Sequence, residues 1–343
     1  MSLSIEKPGL LTTIQDIGRI GYGQYGISRS GAMDGLAHRL ANWLVGNPDH
    51  AATLEMTWSG MTALVEQDCW IAITGSDMQP CVHGKPVPMW RPVFVSAGSR
   101  LLFKQSVSGC RAYIGIAGGW QGEQIMGSTS TYLRAGLGGL DGRPLQAGDK
   151  ISAAQSYSGF SQQTSRQAAV SLQQNDVAAV NWRVSANLIP QYGKQAVIRV
   201  LPGRQWEDFD GPMQQMLLEQ EYRITPQSDR MGYRLSGSEL QTMQPQQYIS
   251  EAVSQGTVQV PPDGQPIILM ADRQTLGGYA KIAQVISLDL PRLAQMAPGD
   301  QIHFQLIDME EAQRLYVGWV RELAVLRRFI TMKLNELGLS VRY

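Results

Sequence analysis

Metal-binding and redox side chains are scarce. Four histidines (His38, His50, His83, His303) and three cysteines (Cys69, Cys81, Cys110) are scattered through 343 residues, with no HExxH and no CxxC pair. No metal-ligand set is legible, and the odd, unframed cysteines point to free thiols in a reducing compartment. Charge is also thin, at 17% of residues against roughly 25% in a typical domain. Lys+Arg and Asp+Glu balance at 29 each, and no basic block occurs. That argues against nucleic-acid binding, which rests on phosphate neutralisation. There is no GxxxxGK[ST] to grip a nucleotide and no strand-linked GxSxG elbow. MSLSIEKPGLLTTIQDIG has no basic region followed by an apolar core. No apolar run reaches the roughly 18 residues of a membrane span. The expectation is a soluble cytoplasmic protein with no membrane partner.

What is abundant is glycine, 36 residues. Low charge with many glycines fits a mainly β chain with tight turns. Its length suggests about two domains. CWIAIT (69–74), PVFV (92–95) and RAYIGIAG (111–118) read as strands, being β-branched and aromatic between glycine or proline stops. Met33, Leu36, Ala37, Leu40, Ala41 and Leu44 recur at helical spacing and stop at Gly46-Asn47-Pro48. Residues 153–196 are rich in Ser, Gln and Ala and read as an exposed connection. A second β block runs from VIRVL (197–201) to QIHFQLI (301–307), where Ile302, Phe304 and Leu306 alternate with polar residues. AGSRLLF (97–103), AGDKISA (147–153) and PGDQIHF (298–304) each put a glycine turn before a strand. From Asp308, a capping-box pattern with Glu311 opens an amphipathic helix. Its apolar face is Ala312, Leu315, Tyr316, Trp319, Leu323, Leu326 and Ile330. That face packs on its own barrel or meets a partner. The expected division is therefore an N-terminal β lobe (1–152), the connection (153–196), a C-terminal β-barrel lobe (197–307) and a helical tail (308–343).

Four polar, glycine-rich clusters stand out. LLTTIQDIGRIGYGQYG (10–26) carries Gln15, Asp16 and Arg19. SRSGAMD (28–34) ends on Asp34 before the first helix. GSTSTYLRAGLGGLDGR (127–143) carries Thr131, Arg134 and Arg143. The fourth joins SDRMGYRL (228–235) to PPDGQPIILMADRQTLGGYAKIA (261–283). There Asp272, Gln274 and Lys281 crowd the far end of one apolar strand, with Tyr279 beside them, Gln259 and Gln265 flanking, and Arg230 in the SDRMGYRL stretch. Two accounts fit. Asp16 and Asp34 suit turns and caps, and a buried polar set can be a purely structural network. The same amides and carboxylate can hold a urea, amide or lactam, with a carboxylate as base and a lysine against developing negative charge.

PGLLTTIQDIGR, SGAMD, LANWLVGNP, ITGSDM, GSTSTYLRAGLGG, SDRMGYRL and VPPDGQPIILMADRQTLGGYAKIA occur in order from about residue 5 to 307. Together they resemble the biotin-dependent carboxyltransferase family, which includes the C-type subunits of 5-oxoprolinase, the KipA-type antagonists and the so-called allophanate hydrolase subunit 2. The resemblance implies a cyclophilin-like β-barrel architecture and a heteromeric complex with a B-type companion and an A-type subunit. It implies an ATP-dependent 5-oxoprolinase, a hydrolase opening the lactam of 5-oxo-L-proline to L-glutamate, with ATP as cosubstrate of the complex. On that reading Asp272, Lys281 and Gln274 are catalytic. Gln259, Gln265, Arg230, Tyr279, Asp34, Thr131 and Arg143 bind substrate, and no metal is used. Two alternatives stay open. One is a KipA-type regulator that binds a B-type inhibitor of a histidine kinase. The other is a carboxyltransferase half acting on urea or a related amide, served by a separate biotinylated carrier. Lys333 in ITMKLN (330–335) matches the Met-Lys of a biotin-attachment site, yet it falls on the predicted helix rather than a hairpin turn. No covalent biotin is expected on this chain. Ala280 and Arg204 stand where the family often has proline, which bears on loop rigidity more than on chemistry.

Overall fold

The computed structural model describes residues 1–155, 177–244 and 247–338. Most of the expected connection, 156–176, lies outside the described residues. The chain is mainly β and forms two compact units, each drawn from separated stretches. The first comprises 1–18, 34–190 and 323–343. The second comprises 19–33 and 191–322.

The first unit holds two six-stranded sheets. One runs Lys150–Ser152, Ser2–Lys7, Thr62–Val65, Arg100–Leu102, Cys81–Val82, Lys85–Pro86. The other runs Val177–Ala179, Pro92–Val95, Cys69–Asp77, Ser108–Ile116, Thr53–Thr57, Leu11–Gln15. Each strand expected here forms, because its β-branched run has a core to fill: Ile5, Leu54, Ile73, Val93 and Ile114 are all buried together. The helix Gly35–Leu44 starts where Asp34 accepts the N–H groups of Leu36 and Ala37. Val177–Ala179 pairs with Pro92–Val95, so the end of the expected connection belongs to a sheet.

The second unit is a closed barrel. Its order is Gln195–Pro202, Ala280–Val285, Thr257–Val260, Ile267–Leu269, Gly232–Ser236, Glu221–Ile224, Gln301–Leu306, and back to the first by a parallel pairing. Closure leaves no unpaired edge to solvent or to another chain. The alternation in QIHFQL holds for Ile302 and Phe304, which are buried, and the Phe304 ring leans on Tyr222 at 5.8 Å. It fails at Leu306, 37% exposed at the strand end.

Two expectations about organisation differ from what forms. Residues 19–33 precede the first helix yet belong to the barrel unit, and the helix Met309–Glu336 is divided, its later half counted with the first unit. The helix begins as expected, with Asp308 Oδ1 accepting the Glu311 N–H at 2.7 Å. The Glu311 carboxylate completes no capping box and instead pairs with Arg314. Ala312, Leu323, Leu326 and Ile330 are buried, but Tyr316 is 46% exposed.

The recurring glycine turn is one device used three times. Gly98, Gly148 and Gly299 have φ of 84°, 92° and 95°. Each donates its N–H at 2.8 Å to a neighbouring strand, at Val65, Ile5 and Ile224 respectively. Each sits third in a turn closed by the following N–H, the position where a type II turn demands positive φ. All three cysteines are free; burial pushes the Cys69 thiol up to about 12. Among the described residues no helix is long and apolar enough to cross a membrane.

The barrel strand offers a direct test. Phe304→Ala should cost about 3–5 kcal/mol by cavity formation, whereas Gln305→Ala, exposed on the same strand, should stay within about 0.5 kcal/mol. Urea unfolding of both variants reads the difference, and equal costs would refute the placement.

Candidate functional site

Strand Ile267–Leu269 is apolar because it lies between Gly232–Ser236 and Thr257–Val260 in the barrel wall. Beyond it the chain turns, and the polar residues of 272–281 separate into two groups.

The first group is an ion pair. Arg230 grips Asp272 with two parallel bonds of 2.9 Å, Nε to Oδ2 and Nη2 to Oδ1. Ser30 Oγ donates to Oδ1 at 2.6 Å, and Arg230 Nη2 also reaches the Gly31 carbonyl at 2.6 Å. The two side chains are only 6% and 5% exposed. Both oxygens of Asp272 are thus engaged, and the pair ties residues 30–31 to the barrel.

The second group lies under a roof. Val258, Val260, Ala280 and Ile282 point into the barrel core, so Gln259 and Lys281 point out of it. They are direct cross-strand partners, next to a bulge at Val258/Gln259 that re-aims the strand. Such partners share a face with Cβ atoms about 5 Å apart. Both are nonetheless buried, at 1% and 5% exposure. The cover is a two-stranded ribbon, Glu251–Ala252 against Leu276–Gly277. Gly277 comes so close that a β-carbon there would stand 2.3 Å from Gln259 Nε2.

The hydrogen bonding under this roof is slack. Gln259 Oε1 accepts from Gln274 at 3.3 Å, while Gln259 Nε2 is buried with no acceptor. Lys281 Nζ has three protons to place. It reaches only the Tyr279 carbonyl at 3.3 Å and Glu251 at 3.6 Å. Glu251 is shared with Arg204 at 2.9 Å. The Lys281 backbone N–H is held by Gln205 Oε1 at 3.1 Å. Buried donors of this kind are normally satisfied, and an unsatisfied one costs about 1–3 kcal/mol. An orphan amide N–H beside an under-used ammonium is a ready cradle for a carbonyl oxygen or its oxyanion.

The other expected site residues stand elsewhere. Gln265 is at the opposite end of its strand, exchanging bonds of 3.0 and 3.3 Å with the Gly237 backbone. The Tyr279 side chain is 45% exposed, although its carbonyl accepts from Lys281. Asp34, Thr131 and Arg143 belong to the first unit. Asp34 caps the helix, and its N–H donates to Tyr113 Oη at 2.8 Å. Thr131 Oγ1 donates to the Ile14 carbonyl at 3.0 Å, and its own carbonyl accepts from Gln15. Arg143 clamps Asp149 at 2.8 and 2.9 Å, which holds that carboxyl below its ordinary range. Burial pushes the Asp16 carboxyl up. Bonds from Ser128, Ser130 and the Gly18 and Thr129 N–H groups outweigh it and bring the carboxyl below its usual value.

Sequence reading missed Glu251, Gln205 and Ser30. It also missed a buried network in the first unit, where Tyr113 Oη donates to Glu55 at 2.7 Å. Burial, then the Glu55 charge, pushes the Tyr113 hydroxyl well above its ordinary value. The one available signal was Glu55 itself, a carboxylate inside the apolar strand TLEMT. Among the described residues no group of three or more His, Cys, Asp or Glu side chains gathers to hold a metal.

The two polar groups predict losses of different size. Asp272→Ala strands a buried guanidinium and should cost about 3–5 kcal/mol. Gly277→Ala meets the far end of the Gln259 side chain and the side chain of Val253, not backbone, so it should cost about 1–3 kcal/mol. Equilibrium denaturation compares them; an Asp272→Ala protein as stable as the parent would remove the ion pair from the account.

Residues 25–306 match the family described as carboxyltransferase domain, subdomain A and B. The chain is 39% identical over 311 residues to the C-type subunit of 5-oxoprolinase from Escherichia coli (strain K12), covering 90% of this chain and 93% of that protein. It is 38% identical over 303 residues to the corresponding 5-oxoprolinase protein of Haemophilus influenzae, covering 88% and 90%. Among solved structures it is similar to the urea amidolyase of K. lactis, with a TM-score of 0.83 and 27% identity over 93% of this chain. It spans only 19% of that longer polypeptide. On the family match and both bacterial relatives, the chain belongs to the carboxyltransferase domain family.

Proposed function

We propose that this chain is the C-type subunit of an ATP-dependent 5-oxoprolinase, working with a B-type and an A-type subunit. The observation that carries the reading is the under-satisfied pair Gln259–Lys281 beneath the 251–252/276–277 ribbon. The similarity to two bacterial proteins named as C-type 5-oxoprolinase subunits supports it.

A lactam presents one carbonyl oxygen and one N–H. Gln259 Nε2 and Lys281 Nζ are donors for the oxygen, and Glu251 or the Gln274 amide oxygen is an acceptor for the N–H. Transfer of the terminal phosphoryl of ATP to the lactam oxygen yields ADP and an activated carbon. One water adds to that carbon, the C–N bond opens to an acyl phosphate, and a second water releases phosphate and L-glutamate. Lys281 faces the oxygen on which charge builds, where a positioned donor contributes most. Asp272 and Arg230 serve by holding the turn that carries Gln274. The likeness to urea amidolyase favours a second reading, a carboxyltransferase half acting on urea or a related amide. The same donors suit a urea carbonyl, and that reaction needs a separate biotinylated carrier.

The test is reconstitution with the A-type and B-type subunits, supplied with 5-oxo-L-proline and ATP, with glutamate and ADP measured as each protein is omitted. Glutamate should form only with this chain present. Lys281→Met in the same complex should lower kcat by about 10²-fold or more without lowering the melting temperature. No glutamate from an assembled complex would overturn the proposal and turn attention to urea with a biotinylated carrier.

A further inference from the structure

Arg273 and Gln274 are consecutive, but they serve different surroundings. Gln274 reaches Gln259. Arg273 lines a separate cavity of about 590 Å³ on the barrel unit, and Arg29 lines the same cavity. Ser254, Gln284 and Ser287 supply polar wall, and Leu290 and Tyr316 supply apolar wall. Among the described residues no Asp or Glu lines it.

The state of Arg273 is unusual for a guanidinium. Its hydrogen bonds are two long ones to backbone carbonyls, Nε to Val253 at 3.3 Å and Nη1 to Met270 at 3.4 Å. Both are near the limit of a useful bond, and they leave Nη2 and most of the planar fork unused. Arg230, on the same unit, shows what the fold does with an arginine that serves packing: it is gripped bidentately by Asp272. Arg273 has lost much of its hydration without gaining a carboxylate. Burial, and then the like charge of Arg29, pushes it down to about 10. The nearby positive charge of Arg29 adds to the cost of the Arg273 charge, and an anion against Arg273 relieves it. The polar wall does not supply one. Gln284 Oε1 already accepts from Ser254 and Thr257, and its Nε2 donates to the Gln255 carbonyl.

We infer that this cavity is a binding site for a small-molecule oxyanion, a carboxylate or phosphate held by the fork of Arg273 beside the positive charge of Arg29, with its organic part against Leu290 and Tyr316. Paired oxygens of a carboxylate or a phosphate match the spacing of the guanidinium fork and take two bonds at once. The volume lies in the range of small-ligand sites, about 300–1,000 Å³. The site is distinct from the Gln259–Lys281 cradle, and it stands whether or not the lactamase reading holds.

The experiment is calorimetric titration of the full chain at low salt with four ligands in separate runs. Inorganic phosphate and ADP are the phosphate arm; 5-oxo-L-proline and L-glutamate are the carboxylate arm. One arm should bind, and the arm that binds names the source. Arg273→Gln should weaken that binding at least tenfold, and the exposed Arg29→Gln should weaken it measurably. Gln305→Ala, exposed on a barrel strand and outside this cavity, should leave it unchanged. Melting curves add a readout that a structural arginine would not give. Ligand-free Arg273→Gln should melt at or above the parent, since it removes an uncompensated charge, and the rise caused by the bound anion should vanish. Failure of all four ligands to bind would overturn the inference. Binding untouched by both arginine changes would overturn it too, as would an Arg273→Gln protein that melts far below the parent and a parent that gains nothing from the anion.

Discussion

The buried pair of Arg230 and Asp272 is the constraint on which the barrel unit depends. Desolvating two charges costs several kcal/mol each, and only close bidentate geometry with further hydrogen bonds to both partners can offset it. That geometry is met, with Ser30 taking a further lone pair of Asp272 and the Gly31 carbonyl taking an extra proton of Arg230. The arrangement brings three remote stretches to one point: the loop before the first helix, the entry to strand Gly232–Ser236, and the turn after Ile267–Leu269. It also fixes where the 272–279 turn leaves the wall, and hence where the ribbon strand Leu276–Gly277 crosses Gln259.

Polarity in this unit is therefore of two kinds. At Asp272 every group has a partner, which is the signature of a fold-holding network. At Gln259 and Lys281 donors are left over, although both side chains are as buried as the ion pair. A protein rarely leaves such groups unpaired without a ligand or water to complete them. The contrast, rather than polarity as such, separates the scaffold from the proposed site.

Much of the architecture was legible in local sequence. The strands 69–74, 92–95 and 197–201 follow from β-branched runs, and the helix start follows from Asp34. The three glycine turns were visible because each solves one backbone problem with one residue type. The candidate site was only partly legible. Asp272, Gln274 and Lys281 read as a single cluster, since they lie within ten residues. Yet a turn sends neighbours in different directions, and the ion pair claims Asp272 while the barrel's outer face claims Lys281. Glu251 and Gln205 gave no local signal, for their importance comes from the ribbon and from a pairing that closes the barrel. Gln265 was misplaced by the same logic in reverse: it is close in sequence but lies a strand's length away. The membership of 19–33 in the barrel unit was invisible, because nothing in a glycine-rich loop names a partner more than two hundred residues on.

That last separation matters during synthesis. Ser30 waits 242 residues for Asp272. At about 5–20 residues per second of translation, the wait is on the order of 10–50 s. Through that interval the loop is an unclaimed stretch of nascent chain, open to chaperones and to neighbouring polypeptides. Its composition suits the delay. GRIGYGQYGISRSG is dense in glycine and carries two arginines, which makes it a poor template for the stacked strands of an aggregate. The residues that suit the loop to its final place also protect it while that place does not yet exist.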